Sequence, residues 1–193
     1  MRLVTVFGSS RTAPGTSAYE EARTWGRAVA EAGFGAVTGG YSGSMEAVSY
    51  GAKEAGGTVL GVTAPSLFPN RAGANEHVGL ELPASTLLVR IERLLDLAQA
   101  YVVLPGGIGT LTELMAAWNV AFIERMYSRP FKPIAVHSAW MGVLEALHQT
   151  PGLEMPPSNL ELLTPVANVD ELKVFLSQLP NKNPPSTSRE GYG

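Results

Sequence analysis

The sequence predicts an α/β protein: a Rossmann-like, doubly wound, mostly parallel sheet with helices on both faces. Two observations carry that expectation. Short β-rich runs alternate with longer helix-like segments along the chain, and such alternation builds a parallel sheet covered on both sides. Three glycine- or serine-rich turns, Gly8-Ser9-Ser10, Gly39 to Gly43 and Gly106 to Thr110, each follow a strand-like run. In a parallel sheet those turns share the carboxyl edge of the strands, where ligands bind near a switch in strand order.

The elements follow in order. Leu3 to Phe7 is β-rich and ends at the first turn. Ser17-x-x-Glu20 is a capping box that opens a helix to about Ala32, stopped by Gly33. Gly35 to Thr38 is a short strand, and a helix runs from about Ser44 to Ala55 before Gly56-Gly57. Thr58 to Val62 is the next strand, and Pro65 to Asn75, rich in turn formers, is a loop. His77 to Leu82 reads as a strand, Ala84 to Ala98 as a helix, and Ala100 to Leu104 as a buried strand. Leu111 to Arg125 is helical, Pro133 to His137 is a strand, and Trp140 to Gln149 is a helix. Leu162 to Val166 is the last strand, and Asn168-x-x-Glu171 caps a final helix. Residues 1–179 are expected to form one nucleotide-binding domain. The segment 180–193, dominated by Pro, Asn, Ser and Gly, is expected to be a disordered tail.

Composition excludes several classes. Charged residues are 16% of the 193, below the usual quarter. That shortage points to apolar surface covered in a homodimer or larger homo-oligomer. A net charge of −3 argues against nucleic acid as a partner. The chain has no cysteine, which removes disulfides, thiolate metal sites and cysteine nucleophiles. His77, His137 and His148 lack ligand-like spacing, so neither a metal nor a cofactor is expected. There is no 18-residue apolar stretch, and the first apolar run is too short for a signal peptide. A cytoplasmic protein with no membrane partner is the expectation.

The stretch Leu104-Pro-Gly-Gly-Ile-Gly-Thr-Leu-Thr-Glu113 carries the most chemistry. A strand, a glycine turn and a helix start let backbone N–H groups converge on an anion. Glu113 then sits one turn inside, and phosphate pocket plus carboxylate suggests a sugar-phosphate or nucleotide. The spacing lacks both the dinucleotide G-x-G-x-x-G and the Lys-Ser/Thr of a triphosphatase loop. Thr110-x-x-Glu113 is equally a capping box, and these residues alone leave both readings open.

Helix phase adds two clues. Leu87, Leu88, Ile91, Leu94, Leu95 and Ala98 form one stripe. Arg90 falls at its edge, roughly 95° from the centre at 100° per residue, and Arg93 nearly opposite, in solvent. Arg90 therefore borders a cleft or snorkels from the stripe's margin. In the Leu111 helix, Leu111, Leu114, Met115, Trp118 and Phe122 make one apolar face, and Ala116, Val120 and Ile123 a second. Glu113 is expected on that second side, whose simplest cover is another subunit.

Pro105 to Glu113 matches P-G-G-x-G-T-x-x-E, the signature of the LOG (Lonely Guy) or "lysine decarboxylase-like" family, which the chain resembles. Phe7-Gly8-Ser9-Ser10 looks like that family's first loop and Thr38 to Ala47 like its second, over roughly residues 3 to 137. The family's M-x-x-R-K segment appears as Leu87-Leu-Val-Arg90-Ile91, keeping the arginine and losing methionine and lysine. The second loop looks one residue shorter, with Glu46 where a small residue is usual. The chain thus looks like a side branch of the superfamily.

The resemblance implies a nucleoside 5′-monophosphate phosphoribohydrolase that releases base and ribose 5-phosphate. The alternative is a non-catalytic nucleotide or molybdenum-cofactor carrier. Arg90 and Glu113 are the implied catalytic residues. Gly8, Ser9, Ser10, Gly39, Gly40, Gly43, Glu46, Pro105, Gly106, Gly107, Gly109 and Thr110 are the implied ligand-binding set. Arg90 would contact phosphate or the departing base, and Glu113 the ribose. Glu46 would be a second polar group, or a first-turn acid serving its helix dipole. Lysine decarboxylation is not expected. Pyridoxal phosphate needs a Schiff-base lysine, and Lys53, Lys132, Lys173 and Lys182 all lie outside the glycine turns.

Overall fold

The strand side chains alternate between two apolar cores, as strands buried on both faces must. The computed structural model describes residues 1–71 and 73–180. Val4, Val6, Ala36, Ala100, Val102 and Ala135 face one core, and Leu3, Phe7, Val37, Tyr101, Val103, Ile134 and Val136 the other. The strands are β1 (Leu3–Phe7), β2 (Gly35–Thr38), β3 (Val59–Thr63), β4 (Leu80–Pro83), β5 (Ala100–Val103), β6 (Ile134–His137) and β7 (Leu163–Val166). All pair in parallel, in the order β4-β3-β2-β1-β5-β6-β7. The chain winds outward from β1 to β4, returns beside β1, and winds the other way. The switch point therefore lies between β1 and β5, where a doubly wound sheet opens its crevice.

Helices cover both faces. The helices α1 (Ser17–Glu31), α2 (Ser44–Glu54) and α6 (Val169–Ser177) bury Trp25, Val48 and Leu172 in the first core. The helices α3 (Leu87–Leu97), α4 (Ile108–Met126) and α5 (Met141–Gln149) bury Leu94, Leu114 and Leu144 in the second. In α1 and α2 two glycines bring the backbones together. A Cβ at Gly26 would land on the Val48 carbonyl, and one at Gly51 on the Arg23 carbonyl.

The expected architecture is present, with local corrections. Thr16, not Ser17, caps α1, accepting from Tyr19 N–H at 3.3 Å. Asn168 caps α6 as expected, accepting from the Asp170 and Glu171 N–H groups. The Thr110 to Glu113 capping box is absent: α4 begins three residues before Leu111, with Gly107 at the N-cap and no side-chain cap. Strand β4 spans fewer residues than His77 to Leu82 because Asn75 and Val78 belong to a turn. Helix α3 starts at Leu87 rather than Ala84, and Leu87 and Leu88 are exposed rather than part of its buried stripe. The inner face of α4 is Thr110, Glu113, Leu114, Ala117, Trp118 and Ala121. Glu113 therefore points into the protein, not toward Val120 and Ile123. Residues 181–193, nearly all of the expected tail, lie outside the described residues.

Candidate active site

All three glycine- or serine-rich turns leave the carboxyl ends of their strands, β1, β2 and β5, on one edge of the sheet. The first two turns are joined. Ser44 N–H donates to the Ser9 carbonyl at 2.8 Å, and the Thr12 and Ser44 hydroxyls lie 2.8 Å apart. Gly43, at φ 78°, lies so close to Ser9 that a side chain would strike its carbonyl. Gly39, Gly40 and Gly43 are buried, while Gly8, Ser9 and Ser10 are partly exposed. Gly39 faces the guanidinium of Arg90, where a Cβ would collide with it. The buried glycines of the second turn are thus accounted for by protein neighbours.

The third turn is different. Pro105, Gly106, Gly107 and Gly109 are exposed, and a Cβ at Gly107 or Gly109 would meet nothing within 4 Å. The Trp140 indole donates to the Leu104 carbonyl at 3.0 Å and fixes the turn's base. Leu111 N–H bonds the Gly107 carbonyl, so the N–H groups ahead of it have no helical acceptor. An uncapped helix start with its donors open is an anion site in waiting. Thr110, by contrast, is buried.

Behind this turn lie Arg90 and Glu113. Arg90 is 7% exposed and Glu113 8%. Arg90 Nη1 is 3.5 Å from Glu113 Oε1, an ion pair without a tight hydrogen bond. The other guanidinium donors go to the backbone: Nε to the Val62 carbonyl at 2.7 Å and Nη2 to the Gly39 carbonyl at 3.0 Å. Burial pushes the Glu113 carboxyl up to about 7, and the nearby Arg90 charge only partly opposes it. Burial likewise lowers Arg90, against the pull of Glu113. The sequence singled out both residues but did not pair them. The sequence assigns Arg90 to phosphate or the departing base; in the structure its Nε and Nη2 are held by the protein's own carbonyls and its Nη1 faces Glu113. Arg93 is exposed as expected.

Glu46 is half-buried in the first turn of α2, and its carboxylate helps raise the pKa of the neighbouring Tyr19 phenol, after burial. Near it lie residues that sequence reasoning missed. Tyr41 Oη accepts from Ala64 N–H at 2.7 Å, and the Arg71 guanidinium lies over the Tyr41 ring at 4.5 Å. Only a lone arginine in a turn-rich loop signalled Arg71. Among the described residues, no group of three His, Cys, Asp or Glu side chains is placed to hold a metal. No helix there is long and apolar enough to cross a membrane.

Fold and cleft define a class: Rossmann-like α/β proteins with an uncapped helix start on the ligand edge of a parallel sheet. Residues 45–173 match the family described as "Possible lysine decarboxylase". The chain belongs to this LOG-like family. It is 33% identical over 116 residues to the "Cytokinin riboside 5'-monophosphate phosphoribohydrolase" of Mycobacterium tuberculosis, covering 60% of this chain and 59% of the relative. It is 30% identical over 154 residues to the protein of that description from Rhodococcoides fascians, covering 73% and 77% respectively. This chain spans about half the length of the first curated relatives it matches, 47% to 59%. In fold it is similar to the molybdenum cofactor binding protein of Rippkaea orientalis, with a TM-score of 0.70 and 19% identity, over 91% of this chain and 95% of the other.

Proposed function

We propose that this chain is a nucleoside 5′-monophosphate phosphoribohydrolase acting as a homo-oligomer. The observation that carries the reading is the buried Glu113 carboxyl, held beside Arg90 behind the open Gly107 helix start. The N–H groups at the start of α4 bind the 5′-phosphate. Glu113 then faces the ribose. As a carboxylate it stabilises the positive charge that develops at C1′ when the N-glycosidic bond breaks. Water supplies the hydroxyl that C1′ gains and the proton that leaves with the base. Arg90, anchored to Val62 and Gly39, positions Glu113 and favours its charged form. The names of the relatives support the same reaction class.

Among the described residues lysine chemistry has no support. Lys132 donates to the Leu95 and Asp96 carbonyls, Lys53 to the Glu76 carbonyl, and Lys173 is exposed on α6. The exposed Ile108, Val120, Phe122 and Met126 on the outer side of α4 support the homo-oligomer.

A second reading is a carrier that binds without turnover. It is favoured by the commitment of Arg90 to backbone carbonyls and by the likeness to a molybdenum cofactor binding protein. The deciding assay is ribose 5-phosphate release from AMP, GMP, CMP and UMP, with titration calorimetry of the same ligands. The hydrolase reading expects release that rises as pH passes about 7, where Glu113 becomes a carboxylate, and that is lost in Glu113→Gln. Binding without product from any of the four defeats it and leaves the carrier.

A further inference from the structure

The loop between β3 and β4 folds back over the second glycine turn. Asn75 ties it there: its N–H and its Nδ2 both donate to the Gly40 carbonyl, at 2.7 and 3.0 Å, and Nδ2 also donates to the Tyr41 carbonyl at 2.9 Å. Between loop and turn lies a hollow of about 420 Å³ bordered by Tyr41, Ser42, Glu46, Arg71, Asn75 and Glu76, a size within the range of small-ligand pockets. Arg71 is half-buried on its wall. Its guanidinium lies against two rings, 4.5 Å from the Tyr41 centroid and 4.4 Å from that of Phe68, which meet edge to face. Among the described residues no carboxylate lies within 4.0 Å of it to form an ion pair. A planar cation backed by aromatic rings, with no salt-bridge partner, is a platform on which a flat π-system stacks.

The position suits one part of a nucleotide. Arg90 lies 5.7 Å from the same Tyr41 ring, so Tyr41 adjoins both the Arg90–Glu113 pair and the hollow. Along the edge the Gly107 turn leaves β5, Arg90 reaches the ends of β2 and β3 through Gly39 and Val62, and the hollow borders the turn after β2. Two strand spacings separate β5 from β2, about 10 Å, comparable to the reach from a 5′-phosphate to its base. Within the hollow Glu46 offers an acceptor, whereas the donors of Asn75 are already spent on carbonyls.

We infer that this hollow is the base subsite, taking an amino-bearing purine that stacks on Arg71 and donates its exocyclic amino group to Glu46. The inference rests on the nucleotide reading above but not on turnover. The test uses the 193-residue protein in the Glu113→Gln background, so that ligand is not consumed. AMP, GMP, IMP, UMP and ribose 5-phosphate are titrated calorimetrically into that protein and into versions that also carry Arg71→Ala, Arg71→Lys or Glu46→Ala. Arg71→Ala and Arg71→Lys are each expected to weaken AMP and GMP on the order of 10-fold, since lysine lacks the planar fork. Ribose 5-phosphate affinity is expected to change less than about 2-fold. Glu46→Ala is expected to erase the preference of AMP over IMP. An equal loss for ribose 5-phosphate would assign Arg71 to the phosphate and overturn the inference, as would full rescue by lysine. An AMP-to-IMP ratio untouched by Glu46→Ala overturns the amino contact. The expected pattern together with a wild type that releases no ribose 5-phosphate sustains the subsite and sinks only the hydrolase.

Discussion

Replacing Glu113 with glutamine removes the proton equilibrium but little of the shape, and its effect on stability should depend on pH in a set way. The ordinary value for a glutamate carboxyl is 4.5, whereas burial holds that of folded Glu113 near 7. Between those values the folded protein keeps a proton that the unfolded chain has released. Stability contributed by this group is therefore full below about 4.5 and lost as pH rises through about 7. At 1.36 kcal/mol per pH unit the window is worth about 3 kcal/mol. Glutamine does not titrate, so it escapes the loss, and every other group titrates alike in both proteins. The melting temperature of Glu113→Gln minus that of the wild type should thus be near zero at pH 4.5. It should rise by about 6–12 °C by pH 8, at about 2–4 °C per kcal/mol for a chain of this size. Differential scanning calorimetry of both proteins at pH 4.5, 6 and 8 measures it. A difference that stays flat would mean that Glu113 ionises as an ordinary surface glutamate, and the electrostatic account of the site would fall with it.

Gly107→Val places a side chain where the protein itself leaves open space. It should fold with a near-normal melting temperature yet lose the thermal stabilisation that nucleoside monophosphates give the wild type; undiminished ligand stabilisation refutes the anion site. Val120→Glu, on the exposed side of α4, should yield a monomer or a destabilised protein in light scattering. A wild type that is itself monomeric at micromolar concentration removes that expectation. Gly51→Ala should cost about 1–3 kcal/mol by forcing α2 away from the Arg23 carbonyl. Gly142→Ala, which meets nothing within 4 Å on α5, should be neutral or gain about 0.4–1 kcal/mol. Equal denaturant midpoints for the two variants would contradict the close helix contact.

Local patterns made the sheet legible. All strands but the last are short runs that meet glycine, serine or proline within two residues of their ends, and parallel order then sends every such turn to one edge. The orientation of α4 was not legible in the same way. Its residues are apolar nearly all round, so the pattern does not fix its phase. Packing on the sheet turns Thr110, Leu114, Ala117, Trp118 and Ala121 inward and leaves Met115 partly buried and Phe122 exposed. That rotation turns Glu113 inward to Arg90, a pairing that depends on helices meeting across the core rather than on spacing along either. The cap of α1 missed by one residue because Thr16 and Ser17 are both good caps. Arg71 was hidden for another reason: its place over the Tyr41 ring depends on Asn75 folding a long loop back onto Gly40, which no local pattern records.

The glycine contact between α1 and α2 reaches beyond the two helices. Backbones that touch leave no compressible layer of side chains between them, so the pair moves as one plate. The first and second turns are mounted on that plate and are stitched to each other through Ser9 and Ser44. That wall of the cleft is rigid before any ligand arrives. The third turn belongs to the opposite helical layer, held at its base by Trp140. A ligand bridging the two layers therefore has its ordering cost concentrated at Gly106 to Gly109, and adjustment of the cleft to different phosphates should be confined to that turn.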